Sequence, residues 1–423
     1  PLGIVGNKDL GPLVSTDMTR CINCTRCVRF TTEIAGLMEL GQAFRGEHAE
    51  IMPFVEKTVD SELSGNIIDL CPVGALTSKP FRFGARAWEM SRRKSVSPHD
   101  SLGSNLVVQV KHDSVKRVLP LENEAINECW LTDKDRFSYE ALNSSERVTQ
   151  PMLKQGGQWI VTDWQTAIEY VANGLKSVKA EFGADAIGAL ASPHSTLEEL
   201  YLVQHLVRGL GSGNVDFRLR QSDFSADIQR SGAPWLGMPV AEISSLDRLF
   251  LIGSFFRKDH PLIAQRVRQA AKRGLKVSAL NPVFDDWQLP VANSICVSPQ
   301  EMLVALAKVV KALAEQTGRE MSVQFVDVCA SLVVDEVSLA IANSLGSGRR
   351  VAVWLGNYAM QHERAAELHV LAQEIARLSN GSVGVLGEAA NSVGGYVAGA
   401  VPFGGIAGKN VVEMLASPLK AYV

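Results

Sequence analysis

Short apolar runs alternate with longer amphipathic runs over the second half of the chain. The runs AIGALA, RLFLIG, KVSALNPV and RVAVWLG have the length and character of buried strands. The stretch WQTAIEYVANGLKSVKAEF follows Asp163, a favourable N-cap, and stops at Gly183, which predicts one amphipathic helix. Further helices are predicted at TLEELYLVQHLVRGLG, IAQRVRQAAKRG and ERAAELHVLAQEIARL. Buried strands that alternate with helices predict α/β layers around a largely parallel sheet.

Before this region the pattern changes to a period of two. From Ser95 to about Val118, most clearly in VVQVKHDSVKRVLP, apolar and polar residues alternate. This alternation predicts a short antiparallel pair that turns near His112 and Asp113. The segment TQPMLKQGGQW, which contains Pro151 and a pair of glycines, then predicts a linker. A small β-rich module is therefore expected before the α/β region.

Length and composition indicate the class of protein. The chain has 423 residues, of which 46% are hydrophobic and 21% charged, a balance typical of a globular protein of about two to four domains. Its net charge of -3, from 42 basic and 45 acidic residues, gives no global field that would attract nucleic acid. No run approaches the roughly 20 apolar residues of a membrane-spanning helix. Any link to a membrane is therefore expected to run through a partner.

Seven cysteines are too few for a disulfide scaffold in a chain of this length. Cys21, Cys24 and Cys27 lie in CINCTRC, and Cys71 is followed by proline in IIDLCPVGAL. A C-x2-C-x2-C run with a distant Cys-Pro is typical of iron–sulfur proteins, whereas structural zinc more often uses two separated pairs of cysteines. The pattern favours a [4Fe–4S] cluster over zinc, and over four unrelated buried thiols.

Other motifs indicate no catalytic or nucleotide site. GLGSGN ends a predicted helix instead of opening one after a strand, and FGGIAGKN lacks the first glycine and the Ser or Thr of a P-loop. The eight histidines are scattered. No G-x-S-x-G motif surrounds Ser192 or Ser195, which lie at a predicted strand end. No complete catalytic site is predicted in this chain.

The segments MTRCINCTRCVRF and SELSGNIIDLCPVGALTSKPFRFGARAWE resemble the large iron–sulfur subunit of NADH:quinone oxidoreductase, respiratory complex I. The resemblance covers about residues 11–137, and the α/β remainder resembles the molybdopterin-oxidoreductase-like domain of the same large subunit. It implies a mixed α/β chain with a partial ferredoxin-like [4Fe–4S] domain at 1–90, a small β module at 91–150 and a molybdopterin-oxidoreductase-like domain at 151–423. The first domain is expected to be truncated at its N-terminus and the last at its C-terminus.

The resemblance also implies what the cysteines do. Cys21, Cys24, Cys27 and Cys71 would ligate one [4Fe–4S] cluster that relays single electrons from NADH and FMN toward quinone. A [2Fe–2S] cluster and a second [4Fe–4S] cluster are expected in the part of the family sequence that lies upstream. The expected partners are other peripheral-arm subunits, including the flavin- and NADH-binding subunit. The expected location is the cytoplasmic face of the bacterial inner membrane, or the matrix side in mitochondria.

The resemblance bears on two further cofactors. Many molybdopterin oxidoreductases carry another [4Fe–4S] cluster in the β module. Its ligand positions fall here on four residues without thiols: Ser97, Asp100, Ser104 and Thr132. Cys129, a single thiol, cannot replace four ligands. The stretch that corresponds to the molybdenum ligand of formate dehydrogenases contains no cysteine and reads Arg220, Gln221, Ser222 and Asp223. We therefore expect no second cluster and no molybdopterin.

Two alternative functions stay open. One is the catalytic subunit of a molybdopterin-dependent, NAD-linked formate dehydrogenase, which shares both modules. The missing thiols favour the electron-transfer subunit over this alternative. The other is a zinc-stabilised interaction module, which would give no signal from a reduced cluster.

Overall fold

The computed structural model describes residues 5–54, 57–403 and 405–423. Gly404, in the FGGIAGKN loop, lies outside the described residues. The chain forms two compact units, each built from discontinuous segments. The first unit comprises Pro1–Leu142, Trp235–Met360 and Glu367–Glu388, and the second comprises Asn143–Pro234, Gln361–Ala366 and Ala389–Val423. In the described ranges no helix is long and apolar enough to cross a membrane.

The elements follow one another in this order. Residues up to 142 form β1 (Val14–Thr16), α1 (Arg26–Arg29), β2 (Leu40–Ala43), β3 (Glu50–Pro53), α2 (Asn66–Leu70), β4 (Leu76–Ser78), β5 (Ser91–Val96), β6 (Asn105–Lys111), β7 (Ser114–Pro120) and α3 (Asp133–Phe137). Residues 143–234 form β8 (Met152–Gln155), β9 (Gln158–Val161), α4 (Trp164–Phe182), β10 (Ile187–Leu190), α5 (Leu197–Gly209) and β11 (Val215–Asp216).

The rest of the chain contains the longer sheet. Residues 235–388 form β12 (Arg248–Ile252), α6 (Phe256–Asp259), α7 (Pro261–Lys272), β13 (Lys276–Asn281), β14 (Val291–Cys296), α8 (Met302–Thr317), α9 (Val323–Ala330), α10 (Glu336–Gly346), β15 (Val351–Leu355), α11 (Asn357–Met360), α12 (Ala365–Ser379) and β16 (Ser382–Val385). The last residues form α13 (Gly394–Val397), α14 (Val411–Ala416) and β17 (Ala421–Tyr422).

A five-stranded parallel sheet organises the first unit, in the order β14-β13-β12-β15-β16. Its central strands are buried on both faces, as all-parallel strands generally are, and this explains their unbroken apolar sequences. Phe250 and Ile252 face the side covered by α8, α10 and α12. Leu249 and Leu251 face the other side, where α7 packs together with the cysteine-bearing N-terminal segment. The cysteine-bearing segment thus shares one hydrophobic cluster with this face of the sheet.

Several elements agree with the sequence-based expectations. α4 begins after Asp163, whose carboxylate accepts the Thr166 N–H at 2.9 Å, and it ends at Gly183. The pair β6 and β7 turns at His112, which adopts a left-handed φ of 53°. The mixed α/β class with a parallel sheet is confirmed. Sequence reasoning missed β5, which pairs with β6 to complete a three-stranded antiparallel sheet. The linker predicted at TQPMLKQGGQW is wrong, because β8 and β9 form an antiparallel pair there that turns at the two glycines.

The second unit has a smaller parallel sheet of its own, in the order β11-β10-β17. Here α5 starts with a capping box in which Thr196 and Glu199 satisfy each other's backbone N–H groups. Both sheets consist of short apolar strands, so the alternation in the sequence does not reveal which strands pair with which.

Candidate metal centre

An antiparallel strand pair brings the two cysteine segments together. β1 pairs with β4 so that Thr16 lies opposite Leu76. The residues that follow β1 therefore lie beside those that precede β4, and the Asp17 N–H donates to the Ala75 carbonyl at 2.8 Å. CINCTRC follows β1 after one 3-10 turn, and Cys71 precedes β4. This pairing brings the local trio near the distant fourth cysteine.

The loop CINCTRC holds two non-glycine residues in the left-handed region, with φ of 54° at Asn23 and 58° at Thr25. Asparagine tolerates this conformation, but a β-branched residue rarely adopts it, so Thr25 marks strain of the kind that clusters at functional sites. The turn directs the Asn23 backbone N–H toward Cys21 Sγ at 3.4 Å. The Asn23 side chain donates to the Ala49 carbonyl at 2.8 Å and ties the loop to the body of the protein.

Cys71 lies at the C-terminus of α2. Its N–H donates to the Ile67 carbonyl at 3.2 Å, and its own backbone is extended, with φ of -77° and ψ of 107°. Pro72 follows, which fixes φ and has no N–H to continue the helix. Gly74, at φ of 67°, reverses the chain toward β4. The helix end and the turn together fix where the fourth thiol lies.

All four cysteines line one pocket. Each is half-buried, and none forms a disulfide. Arg26 adds a cation to the lining, and the other walls are mainly apolar: Met18, Ile22, Ile51, Val73, Ala75 and Leu76. In the part of the chain that the structure describes, no group of three or more His, Cys, Asp or Glu side chains is placed to hold a single metal ion. The four thiols are soft ligands in a pocket whose other walls are mainly apolar. This donor set fits an iron–sulfur cluster.

Burial raises the pKa of Cys27 to about 11, and the neighbouring thiols of Cys21, Cys24 and Cys71 contribute in the same direction. This effect of the neighbouring thiols on the pKa of Cys27 agrees with the pocket that the four cysteines share. The Cys27 thiol is therefore protonated at neutral pH in the metal-free chain. Binding of a metal group must displace this proton, because the thiolate is the ligand.

A buried polar network that sequence reasoning missed holds α2 against α3. Arg136 donates to the Asp69 carboxylate at 2.6 Å and to Asn66 Oδ1 at 3.2 Å. The Asp133 carboxylate accepts the Gly65 backbone N–H at 2.6 Å. A side chain at Gly65 would place its Cβ 2.6 Å from Arg136 Cδ, so the network needs glycine there. These partners are 65 to 70 residues apart in sequence, and no local pattern indicates them.

The structure buries all four residues that occupy the expected positions of a second cluster. Their exposed fractions are at most 4%. Ser97 donates to the Asp135 carboxylate and accepts the His99 N–H at 3.1 Å. Thr132 caps α3 by accepting the Asp135 N–H at 2.9 Å. Asp135 is therefore the common partner of Ser97 and Thr132, and the Ser97 N–H donates to the Ser104 carbonyl at 2.9 Å.

Asp100 should make the stability of the chain depend on pH. Burial, and next the nearby Asp135, raises the pKa of Asp100 to about 7. The folded state holds this proton more tightly than the unfolded chain does. The contribution of Asp100 to the free energy of unfolding is therefore fully present below about pH 4 and falls as the pH rises toward 7. Asn can still accept the Leu102 N–H that Asp100 accepts at 3.0 Å. We expect Asp100→Asn to stabilise the chain at pH 8 by up to about 4 kcal/mol and to change little at pH 4.

Urea unfolding at the two pH values measures this difference. Asp113→Asn, on the exposed turn between β6 and β7, is the matched control. An equal effect of Asp100→Asn at pH 4 and pH 8 would show that Asp100 does not titrate as described.

Comparison with known proteins shows to which family the chain belongs. Residues 147–421 match the family model Molybdopterin oxidoreductase. The chain belongs to the molybdopterin oxidoreductase family. Upstream, this family member matches the ferredoxin-like domain of NADH-quinone oxidoreductase subunit 3 over residues 11–77 and the NADH-ubiquinone oxidoreductase NDSU1/NuoG-like 4Fe-4S domain over residues 90–140. Within that last match the chain has a single cysteine, Cys129.

Relatives of this molybdopterin oxidoreductase family member include proteins named as parts of NADH-ubiquinone oxidoreductase and NADH dehydrogenase. It is 38% identical over 283 residues to the NADH-ubiquinone oxidoreductase 75 kDa subunit of Reclinomonas americana, a match that covers 64% of this chain and 40% of the relative. It is 39% identical to the mitochondrial NADH dehydrogenase [ubiquinone] iron-sulfur protein 1 of Solanum tuberosum, over 66% of this chain and 37% of the relative. The expected resemblance to the large iron–sulfur subunit of complex I is confirmed. The chain spans about 40% of the length of these relatives.

Acetylene hydratase from Pelobacter acetylenicus has a similar fold, with a TM-score of 0.51 over 68% of this chain and 43% of the hydratase. The two sequences are 14% identical, so this likeness concerns the fold alone.

Proposed function

We propose that the chain carries one [4Fe–4S] cluster on Cys21, Cys24, Cys27 and Cys71 and relays single electrons in NADH:quinone oxidoreductase, from NADH and FMN toward quinone. The observation that carries this proposal is the single pocket that all four cysteines line. The relatives named as parts of NADH-ubiquinone oxidoreductase support the choice of enzyme. In this account the chain has no substrate site of its own, and its cluster accepts and donates one electron at a time.

The residues of the pocket would contribute to cluster binding in different ways. The four thiolates hold the group, and the Asn23 N–H donates toward Cys21 Sγ. Hydrogen bonds to ligand sulfur and a nearby cation such as Arg26 favour the reduced, more negative state and so raise the reduction potential. The apolar walls limit the contact of the ligand sulfurs with water, since each of the four cysteines is half-buried.

The alternative, a molybdopterin-dependent formate dehydrogenase, has less support. The stretch 220–223 provides no thiol, and Asp223 accepts the Ala366 N–H at 3.0 Å. In IGSFFRKDHPL, which resembles the molybdopterin fold, Arg257 pairs with Glu62 at 2.9 Å and Asp286 at 3.0 Å. Its charge is therefore balanced by this chain's own carboxylates. We propose that the chain keeps the molybdopterin-type scaffold without molybdopterin.

Further clusters, partner subunits and a cellular location follow from the same proposed function. A [2Fe–2S] cluster and a second [4Fe–4S] cluster would serve the same enzyme on ligands other than these four cysteines. The partners would be other peripheral-arm subunits, including the flavin- and NADH-binding subunit. The chain would lie at the cytoplasmic face of the bacterial inner membrane, or on the matrix side in mitochondria, and would reach the membrane through those partners.

Metal analysis of the anaerobically purified chain separates the two functions. The electron-transfer proposal expects about four iron atoms per chain and no molybdenum. Stoichiometric molybdenum with a bound pterin would instead establish the dehydrogenase. Zinc at the four cysteines in place of iron would identify the interaction module.

A further inference from the structure

Strand β5 is exposed along its whole length. All six of its residues, SRRKSV, are open to solvent. It pairs with β6 on one side, and in the described ranges no strand pairs with its other side. Its main-chain N–H and C=O groups on that side are available to another strand, which makes β5 a template for strand addition.

The side chains of β5 carry a concentrated positive charge. Arg92 and Lys94 point to one face of the strand and Arg93 to the other, because side chains alternate along a strand. Residues 82–94 contain five cations and one acid, Glu89, although the whole chain has a net charge of -3. Glu89 is already paired with Lys111 at 2.9 Å. The charge of this segment therefore suits an acidic partner.

Two large aromatic side chains lie just before β5 and are almost fully exposed, Phe83 at 92% and Trp88 at 82%. Phe83 has a left-handed φ of 67°, which is unfavourable for a bulky residue. The Arg82 guanidinium lies 4.9 Å from the centre of the Phe83 ring. Trp88 directly precedes Glu89, which binds Lys111 at the end of β6. We call Phe83, Trp88, Arg92, Arg93 and Lys94 the basic edge surface.

Charge on an edge strand can also serve only to prevent aggregation. That role does not account for the two aromatics, since exposed Trp and Phe would promote the aggregation that the charges prevent. Aromatic and Arg side chains together are instead enriched at the centres of protein interfaces.

We propose that the basic edge surface binds an extended acidic segment of a partner protein, which joins the three-stranded sheet as a fourth strand beside β5. The partner is taken to be a protein because the proposed function makes this chain a subunit, and the inference rests on the proposed function in that respect. Main-chain hydrogen bonds to β5 give the register, acidic side chains pair with Arg92, Arg93 and Lys94, and an apolar residue covers Trp88.

A labelled probe peptide of alternating Glu and Thr with a Leu at each end, about ten residues long, tests this with the purified full chain. We expect the chain to bind the probe, and the triple charge reversal R92E/R93E/K94E to weaken the dissociation constant roughly tenfold or more. The control K176E/K179E, two charge reversals on exposed positions of α4, should bind as the parent does. Absence of binding by the parent chain, or equal binding by the triple variant, would overturn the inference.

Two further measurements test the strand geometry and show whether a loss of binding results from misfolding of a variant. The same peptide with every amide N-methylated keeps its charge and loses all of its main-chain donors, so we expect it not to bind. Equal binding of the N-methylated peptide would mean charge attraction alone and would refute strand addition. Trp88→Ala, at one exposed position, should also weaken binding without changing the thermal unfolding midpoint. Iron analysis of the same samples tests the proposed function separately, because binding of the probe does not require the cluster.

Discussion

Replacement of Cys24 by serine is expected to abolish or convert the electron paramagnetic resonance signal of the reduced cluster. Cys24 lines the same pocket as Cys21, Cys27 and Cys71, so the variant removes one of four thiolate ligands. A serine hydroxyl loses its proton far less readily than a thiol, and it is a harder ligand than sulfur. The measurement is the spectrum of the anaerobically purified and reduced variant beside that of the parent chain.

Cys296→Ser is the matched control for this prediction. Cys296 is also half-buried and free, but it lies at the end of β14 and does not line the pocket. Its replacement should leave the signal intact. An unchanged spectrum in Cys24→Ser would rule out the proposed set of ligands.

Arg136→Met is expected to destabilise the chain by about 2 kcal/mol and to hasten loss of the cluster. The Arg136 side chain is 4% exposed and pairs with Asp69 at 2.6 Å, two residues before Cys71. Its removal leaves the Asp69 carboxylate and the Asn66 amide with fewer partners at the end of α2. Breaking a fully buried pair costs more than this, but the Asp69 side chain is 34% exposed and water compensates for part of the loss.

Denaturant unfolding and the rate of cluster bleaching in air measure the two effects. Arg147→Met, at an exposed position, removes the same charge and is the control. Arg136→Lys should lie between the parent and Arg136→Met, because lysine keeps the charge and loses the planar fork that reaches Asp69 and Asn66 together. If Arg136→Met unfolds and bleaches as the parent does, the network does not position Cys71.

The features that depend on local sequence could be predicted. Helix α4 has its N-cap at Asp163 and its stop at Gly183, and both signals lie next to the helix in the sequence. The pair β6 and β7 shows a clear alternation because its apolar side chains, among them Leu106, Val108 and Val118, pack in one hydrophobic cluster. Strand β5 shows none, because both of its faces are exposed and no residue there has to be apolar.

The features that depend on contacts between residues far apart in the sequence could not be predicted. The Leu131 N–H donates to Asn66 Oδ1 at 3.0 Å across 65 residues, and nothing in the sequence near Asn66 indicates a partner. The division of the short parallel strands between two sheets is equally hidden, since β10 and β12 read alike as apolar runs. For the candidate site, the spacing of Cys21, Cys24 and Cys27 indicated a shared ligand set, whereas the left-handed turn at Thr25 had no local signal.

The reduced spectrum of the unmodified chain tests the central claim most directly. The chain would be purified without air, reduced, and examined by electron paramagnetic resonance at low temperature. The account predicts the signal of one reduced [4Fe–4S] cluster, which integrates to about one spin per chain. A silent spectrum from a chain that holds zinc on Cys21, Cys24, Cys27 and Cys71 would contradict it.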